Sequence, residues 1–496
     1  MANSVLKFDV NNCIKEKFEF EGKQIQVRSY YNLQYCSNPL DDIQRMNIFV
    51  PEAYYNGQSI NGYDAKTAPI FMPNTVGGYM PGPADKPGYD HFGNVNAIFY
   101  ALMHGYVVAS AGVRGRTTGK ESNEFFQGGS ATYVGENTGK MVGRAPAFVV
   151  DMKAAVRFLK YNKEEIIGDV EKIITSGTSA GGALSALMGA SGDNIAYKPY
   201  LEEIGALEAS DSIFGANCYC PIHNLENADM AYEWLFNKEN VFHMTKKVKT
   251  ENGLERIPWD EQLTDEQMRM SNELASEFPK YLNELGLKDK DGTTLQLENN
   301  GEGSFKGAVK SLLIESAQKE LDTHYYANCG AWAIVENSQV ENQNFITIEN
   351  GKVIKLDFDG YVKTITRMKP VPAFDNLDLS SPENEEFGDC NVDARHFTRY
   401  ALDHSNKKGE LASEEIIRLM NPTRLISDEE SYVSPHWRIR HGAYDRDTSI
   451  AIPIILKFML ENKGIDVDFF MPWGVPHRGD YDLDELFAWI DGICKA

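Results

Sequence analysis

The stretch Thr175-Ser-Gly-Thr-Ser-Ala-Gly-Gly182 joins a β-branched run to a segment of small residues. Within it, Gly177-x-Ser179-x-Gly181 is typical of the sharp strand-to-helix turn that presents a serine nucleophile. Glycines suit this turn because side chains there would clash with the neighbouring strand and helix. The turn would place the Ser179 hydroxyl at a helix N-terminus, which favours developing negative charge. We therefore predict that Ser179 is a nucleophile; the alternative is a chance glycine-rich turn.

Strands and helices alternate on both sides of this turn. Apolar runs predict strands at Ala68–Met72, Tyr106–Ala111, Lys172–Thr175, Ser212–Cys220, His436–His441 and Val467–Trp473. Helices are predicted at Val95–His104, Pro146–Tyr161, Gly181–Gly189, Glu414–Met420, Ser449–Asn462 and Leu483–Cys494. Such alternation favours right-handed crossovers and a mostly parallel sheet, so the predicted fold class is α/β. Nearer the N-terminus, Val5–Val10, Lys23–Tyr31 and Met46–Val50 predict antiparallel strands at the edge of the sheet.

The alternation stops between residues 222 and 395. Polar helical stretches lie near Asp265–Leu285 and Ser304–Leu321, and hairpin-like segments follow at Asn344–Ile348, Gly351–Asp357 and Gly360–Arg367. The dipeptide Asn350-Gly351 is a turn signal between two of them. We interpret residues 222–395 as an inserted domain, and residues 1–221 with 396–496 as one catalytic α/β domain.

Composition excludes some functions. The 496 residues include 49 Lys and Arg against 72 Asp and Glu, a formal net charge of −23. Nucleic-acid binding needs a basic surface, and no Lys/Arg cluster is present to supply one. A strongly anionic substrate is disfavoured by long-range repulsion, so a neutral small molecule is the better candidate.

Two features predict a cytoplasmic protein without a membrane segment. Met1–Phe20 contains no apolar run resembling a signal peptide, and the apolar stretch Ile450–Leu460 is too short to span a bilayer. The seven cysteines are scattered, at Cys13, Cys36, Cys218, Cys220, Cys329, Cys390 and Cys494. An odd number without metal-like spacing indicates free thiols in a reducing compartment.

The nucleophile needs a histidine base, which follows it in the order Ser, Asp, His in this kind of fold. His477 lies just past the last predicted strand and before the last helix, which is the loop position such a base occupies. His441, at the end of the preceding strand, is the weaker alternative.

The acid of the triad should follow the penultimate strand. Asp445 and Asp447 both do, and either carboxylate could orient the imidazole and stabilise its charged form. Spacing alone does not decide between them, although Asp447 could instead cap the helix at Ser449. Asp480 and Asp482 precede the final helix, and we predict that they cap it.

An oxyanion needs backbone donors beside the nucleophile. The N–H of Ala180 is the first, and the glycine-rich loop Asn74–Gly82 is expected to supply the second from Gly77 or Gly78. The alternative for this loop is a plain turn.

With these residues in place, the chain resembles the bacterial tannases, which are α/β-hydrolases with a large inserted lid domain that hydrolyse galloyl esters. The resemblance covers nearly the whole chain and is carried by four motifs: Gly77-Gly-Tyr-Met-Pro-Gly82, Gly177-Thr-Ser-Ala-Gly-Gly182, His441-Gly-Ala-Tyr-Asp-Arg-Asp-Thr448 and Pro476-His-Arg-Gly-Asp-Tyr-Asp-Leu483. It implies a small phenolic ester as substrate and a reaction that requires neither a metal nor an organic cofactor.

The resemblance also implies roles for individual residues. Asp445 would complete the triad, and Asp447 would face the galloyl ring. Lys369, in Arg367-Met-Lys-Pro370, and Glu383, in Ser381-Pro-Glu-Asn384, would join Asp447 in holding the three ring hydroxyls. In related secreted fungal enzymes a cysteine pair staples the nucleophile and base loops. Here those positions are Thr178 and Arg478, which agrees with free thiols.

Two other functions remain open on the sequence. A feruloyl or other aryl carboxylesterase would use the same triad, and a catalytically silent hydrolase fold would only bind its ligand. The sequence makes no prediction of the oligomeric state.

Overall fold

A computed structural model describes residues 6–90, 93–120, 126–128, 131–133, 138–250, 253–326 and 335–495. Residues 1–5 and Cys329 lie outside these ranges. The predictions about the N-terminal segment and about the cysteines partly rest on them.

The described strands, numbered along the chain, are β1 (Ile14–Phe20), β2 (Lys23–Gln34), β3 (Arg45–Pro51), β4 (Pro69–Pro73), β5 (Val107–Ala111), β6 (Phe126–Gly128), β7 (Ala131–Tyr133), β8 (Asp169–Thr178), β9 (Gly215–Tyr219), β10 (Val241–Thr250), β11 (Gly253–Gln262), β12 (Ile346–Glu349), β13 (Lys352–Leu356), β14 (His436–Arg440) and β15 (Asp466–Phe470). The described α-helices are α1 (Glu52–Tyr55), α2 (Ala97–Met103), α3 (Ala147–Tyr161), α4 (Ala180–Ala190), α5 (Lys198–Glu203), α6 (Leu225–Phe236), α7 (Asp265–Glu284), α8 (Ser304–Thr323), α9 (Phe358–Ile365), α10 (Pro382–Glu386), α11 (Arg399–His404), α12 (Glu414–Leu419), α13 (Pro422–Ile426), α14 (Ala451–Asn462) and α15 (Leu483–Lys495).

One large sheet organises the described part of the chain, in the strand order β1-β2-β3-β5-β4-β8-β9-β14-β15. The strands from β1 to β3 pair antiparallel, as do β3 and β5. From β5 through β4, β8, β9 and β14 to β15 every pairing is parallel. The predicted α/β class with a mostly parallel sheet and an antiparallel edge is therefore confirmed.

Helix α4 shows why small residues follow the serine turn. All its residues are buried, and it packs against β8 and β9. A Cβ at Gly189 would stand 2.7 Å from the Trp437 ring on β14, so a larger residue would push the helix off the sheet. Close packing of α4 in turn fixes the position of Ser179 at its start.

Two predicted strands are wrong. Residues 6–10 form no strand, because their backbone is paired by a side chain: Asn162 accepts from Phe8 N at 2.9 Å and donates to Leu6 O at 3.1 Å. The edge strand is β1 instead. Most of the segment predicted as a strand at Gly360–Arg367 belongs to helix α9, whose buried side chains recur at helical spacing. The hairpin of β10 and β11 was not predicted.

Between β9 and β14, the described residues contribute no strand to the large sheet. They form helices and two separate antiparallel hairpins, β10–β11 and β12–β13. The boundaries of the insertion at residues 222 and 395 stay a prediction. No described helix is both long and apolar enough to cross a membrane.

Candidate active site

Ser179 occupies the turn between β8 and α4 with φ 63° and ψ −124°. This backbone conformation is unfavourable for a residue with a Cβ, and such strain persists where the surroundings enforce it. The flanking glycines show how they do so. A Cβ at Gly177 or Gly181 would overlap the Asn74 side chain, and one at Gly182 would overlap the Tyr219 carbonyl. The expected role of these glycines is thus borne out by the packing.

His477 and Asp445 form a close pair. The Nδ1 atom of His477 lies 2.7 Å from Oδ2 of Asp445, so the ring N–H donates to the carboxylate. Asp445 is fully buried, and its other oxygen accepts from the backbone N–H of Asp447 at 2.9 Å. Of the two acids that the sequence left open, Asp447 is farther away, with its Oδ2 at 3.9 Å from His477 Nδ1. His441 is also farther, with its Nδ1 at 3.7 Å from Asp445.

The imidazole and the carboxylate each stabilise the charged form of the other. Burial, the largest single effect, would lower the pKa of His477, but the neighbouring acidic groups Asp445, Cys220 and Asp447 and the hydrogen bond to Asp445 together outweigh it and raise that pKa well above its usual range. Burial, the largest single effect, would raise the pKa of Asp445, but the His477 and His441 rings and the hydrogen bonds from His477 and from the Asp447 N–H together outweigh it and lower the pKa of the carboxyl. The pair can therefore stabilise an imidazolium. Burial lowers the pKa of His441, which keeps that ring neutral.

Two further glycines allow close contact between the segments that carry Ser179, Asp445 and His477. A Cβ at Gly479 would overlap the Thr178 hydroxyl, so the loop that carries His477 packs directly on the serine turn. A Cβ at Gly442 would overlap the Val475 carbonyl, which lets the turn that carries Asp445 lie against the same loop. The Tyr444 N–H then donates to Val475 O at 3.1 Å.

The glycine-rich loop after β4 is tied to the serine turn. The Asn74 side chain donates to Ser176 O at 2.9 Å and to Gly181 O at 3.1 Å. Gly77 is half-buried, whereas Gly78 is exposed, with φ 54°. Ala180, the other predicted donor, is buried at the start of α4. The loop is thus held beside Ser179, where an oxyanion would form.

The residues predicted to hold the ring hydroxyls lie near one another. Burial raises the pKa of Glu383; the Lys369 ammonium opposes this rise and the Asp447 carboxylate adds to it. Both charges must therefore be close to Glu383. The Lys369 Nζ also lies 3.8 Å from the centroid of the Phe374 ring. Lys369 and Asp447 thus lie within electrostatic range of Glu383, and the Asp447 Oδ2 atom is 3.9 Å from His477 Nδ1.

Sequence reasoning missed the buried acids that support these side chains. Asp229 on α6 accepts from the backbone N–H groups of Ala373, Phe374 and Asp375, between 2.8 and 3.1 Å. Asp375 in turn accepts from the Asn384 side chain at 2.7 Å, next to Glu383. The sequence offers no signal for the Asp229 contacts, because Asp229 lies more than a hundred positions before its partners along the chain.

A neighbouring acid has a buried cation as partner in addition to its position before α15. Asp482 was expected to cap α15, but its carboxylate accepts from Arg438 at 2.6 Å and from the Tyr219 hydroxyl at 2.5 Å. All three residues are fully buried. Asp482 directly precedes α15, where its backbone carbonyl accepts from Leu486 N at 2.9 Å, and its carboxylate supplies the counter-charge that the buried guanidinium needs.

Comparison with known proteins places this geometry in context. A family model described as BD-FAE matches residues 103–214. A crystal structure of tannase from Lactobacillus plantarum is 47% identical, with a TM-score of 0.90 and coverage of 100% of both chains. A tannin acyl hydrolase in complex with ethyl gallate is 47% identical, with a TM-score of 0.87 and coverage of 100% of both chains. The tannase of Fusobacterium nucleatum is 44% identical, with a TM-score of 0.88 and coverage of 99% of both chains. No curated protein matched the chain.

Proposed function

The chain belongs to the bacterial tannases, which have the α/β-hydrolase fold, and from this we propose that it is a serine esterase that hydrolyses galloyl esters. One observation carries the proposal: Lys369 and Asp447 both act electrostatically on the buried Glu383, and Asp447 also lies 3.9 Å from His477. A hydrolytic pair alone would fit many esterases, whereas this set of charges suits a ring with several hydroxyls.

The chemistry would proceed through an acyl-enzyme. His477 removes the proton from the Ser179 hydroxyl, which attacks the ester carbonyl, and Asp445 orients the imidazole and stabilises its charge. The N–H of Ala180, with that of Gly77 or Gly78, stabilises the oxyanion. The alcohol then leaves with a proton from His477, and water hydrolyses the acyl-enzyme to release gallic acid.

Recognition would depend on hydrogen bonding to the ring. Phenolic hydroxyls donate to the carboxylates of Glu383 and Asp447 and accept from the ammonium of Lys369. A substrate without these hydroxyls would leave the charged groups unpaired in a half-buried site, which is costly. The similar tannin acyl hydrolase solved with ethyl gallate supports this assignment of the substrate class.

The insertion would act as a lid over this site. Lys369 and Glu383 both come from residues 222–395, so this segment would position the ring and restrict solvent. The described cysteines support a reducing, cytoplasmic location, because Cys13, Cys36, Cys218, Cys220, Cys390 and Cys494 are all free thiols.

The test is hydrolysis of methyl gallate by the wild-type enzyme and by Ser179→Ala, followed as released gallic acid. We expect the substitution to reduce kcat by about 10⁶-fold, to the background rate. Ser311→Ala, an exposed serine on α8, is the control and should retain full activity. Unchanged activity in Ser179→Ala would refute the mechanism.

The alternatives give different results in the same assay. A feruloyl esterase would prefer methyl ferulate to methyl gallate, because ferulate does not present three hydroxyls. A silent fold would bind gallate without turning over either ester.

A further inference from the structure

Cys220 lies beside the catalytic pair, although the mechanism does not use it. It directly follows β9 and is fully buried. Its backbone N–H donates to Arg440 O at 2.6 Å, and its Sγ lies 3.4 Å from the carbonyl of Arg478, the residue after His477. The thiol is therefore held between the strand that precedes Asp445 and the loop that carries the base.

Three different donor atoms meet at this point. The Sγ of Cys220, one ring nitrogen of His477 and one carboxylate oxygen of Asp445 all lie within 4.8 Å of one another. Ligands around a tetrahedral Zn²⁺ stand about 3.5 Å apart, given bonds of about 2.0 to 2.3 Å. Separations of at most 4.8 Å are within about 1 Å of this spacing, so small side-chain shifts, with some opening of the 2.7 Å contact between His477 Nδ1 and Asp445 Oδ2, would complete a three-ligand site with its fourth position open.

We propose that Cys220, His477 and Asp445 form an inhibitory site for a thiophilic divalent cation, of which Zn²⁺ is the representative. The metal would bond to the Cys220 sulfur, a ring nitrogen of His477 and a carboxylate oxygen of Asp445. The thiol proton passes to solvent, as does any proton on the bonded nitrogen, and no electron is transferred. The proposal that a metal binds is based on the distances between the three donor atoms. The proposal that binding stops catalysis rests on the proposed function, in which His477 is the base.

Binding would stop catalysis because it uses the atoms that the reaction needs. The cation would compete with the 2.7 Å hydrogen bond between His477 and Asp445 and would take the imidazole out of proton transfer. A thiolate ligand selects Zn²⁺ or Cd²⁺ over Mg²⁺ and Ca²⁺, which prefer oxygen ligands. The site would therefore discriminate between these two groups of cations.

The first experiment measures binding directly. Zn²⁺ is titrated into the metal-free, reduced full-length chain, in competition with a chromophoric chelator, for the wild type, Cys220→Ser and Cys390→Ser. We expect one Zn²⁺ per wild-type chain, at least tenfold weaker binding in Cys220→Ser, and unchanged binding in Cys390→Ser, whose thiol is exposed. Co²⁺ should give a thiolate charge-transfer absorption band that Cys220→Ser lacks. Equal affinity in all three proteins would overturn the site.

The second experiment measures inhibition of methyl gallate hydrolysis, each variant being compared with its own rate without metal. We expect Zn²⁺ to inhibit the wild type and Cys390→Ser equally, Cys220→Ser to need at least ten times more, and Mg²⁺ to have no effect. If Zn²⁺ binds through Cys220 without inhibiting, the metal site stands and the assignment of His477 as the base fails. If Zn²⁺ inhibits all three proteins equally, the inhibitory site is wrong and the esterase assignment is unaffected.

Discussion

The Tyr232 hydroxyl donates a hydrogen bond to the carbonyl oxygen of Arg446, at 3.1 Å. The same hydroxyl oxygen accepts from the backbone N–H groups of Met368 and Lys369, at 3.0 and 3.1 Å. Arg446 lies directly after Asp445 in the chain. One buried phenol on α6 therefore joins the segment that carries Lys369 to the turn that carries the triad acid.

Removal of this hydroxyl should weaken substrate binding more than catalysis. In Tyr232→Phe two buried backbone N–H groups lose their acceptor, at a cost of about 1 to 3 kcal/mol, and the Lys369 segment should shift. We expect the KM for methyl gallate to rise about tenfold, with a smaller change for methyl benzoate, as measured by steady-state kinetics. Tyr161→Phe, on the exposed end of α3, is the control. Equal changes for the two esters would contradict a role in holding Lys369.

The contact between Gly479 and Thr178 predicts a second effect. Gly479→Ala would place a Cβ on the Thr178 hydroxyl and push the His477 loop away from Ser179. A displacement of about 1 Å in a catalytic group can lower the rate about 100-fold, so we expect kcat for methyl gallate to fall by that order. Gly492→Ala on α15, where a Cβ meets nothing within 4 Å, should leave kcat unchanged. A Gly479→Ala enzyme with wild-type kcat would show that the base does not depend on this contact.

Asp491 predicts a pH-dependent contribution to stability. Burial would raise its pKa, but hydrogen bonds from His104, Tyr63 and Tyr106 outweigh burial and lower the pKa to about 2. Because the pKa is lower in the folded state, the stabilisation is complete above the unfolded value of about 4 and is lost as the pH falls towards 2.

Urea unfolding of the wild type and Asp491→Asn measures this contribution. We expect the substitution to lower the free energy of unfolding by about 1 kcal/mol at pH 7, a figure that allows for solvent screening. The difference should shrink between pH 4 and pH 2. Asp466→Asn, an exposed aspartate at the start of β15, should change the free energy of unfolding little at either pH. A difference that grew on acidification would contradict the assigned pKa shift.

The sequence predicts the parts of this protein that are marked by a pattern within one short stretch of residues. The serine turn can be recognised because the glycines that its close packing requires, Gly177, Gly181 and Gly182, lie close together in the sequence. The parallel strands can be recognised as apolar runs because their side chains are buried on both faces of the sheet. Apolar runs predicted strands wrongly at two places. At residues 6–10 the Asn162 side chain takes the place of a strand partner, and at α9 a short amphipathic segment fits the period of a helix as well as that of a strand.

The support of the site could not be predicted for a different reason. Asp229, Tyr232 and Cys220 act through contacts with residues more than a hundred positions away along the chain. A lone buried acid, tyrosine or cysteine has no pattern that identifies its partner. A residue such as His477, whose position before the last helix identifies it, is therefore easier to predict than the residues that hold it in place.

The most direct test of the central claim is the ratio of kcat/KM for methyl gallate to kcat/KM for methyl benzoate, in the wild type and in Glu383→Ala. Glu383 is buried within electrostatic range of Lys369 and Asp447, and a hydrogen bond to a charged group contributes about 1.5 to 3 kcal/mol. We predict that the wild type strongly favours the gallate and that Glu383→Ala lowers the ratio about 10- to 100-fold. Glu349→Ala, an exposed control on β12, should leave the ratio unchanged. A Glu383→Ala enzyme with the wild-type ratio would contradict recognition of the ring hydroxyls by this site.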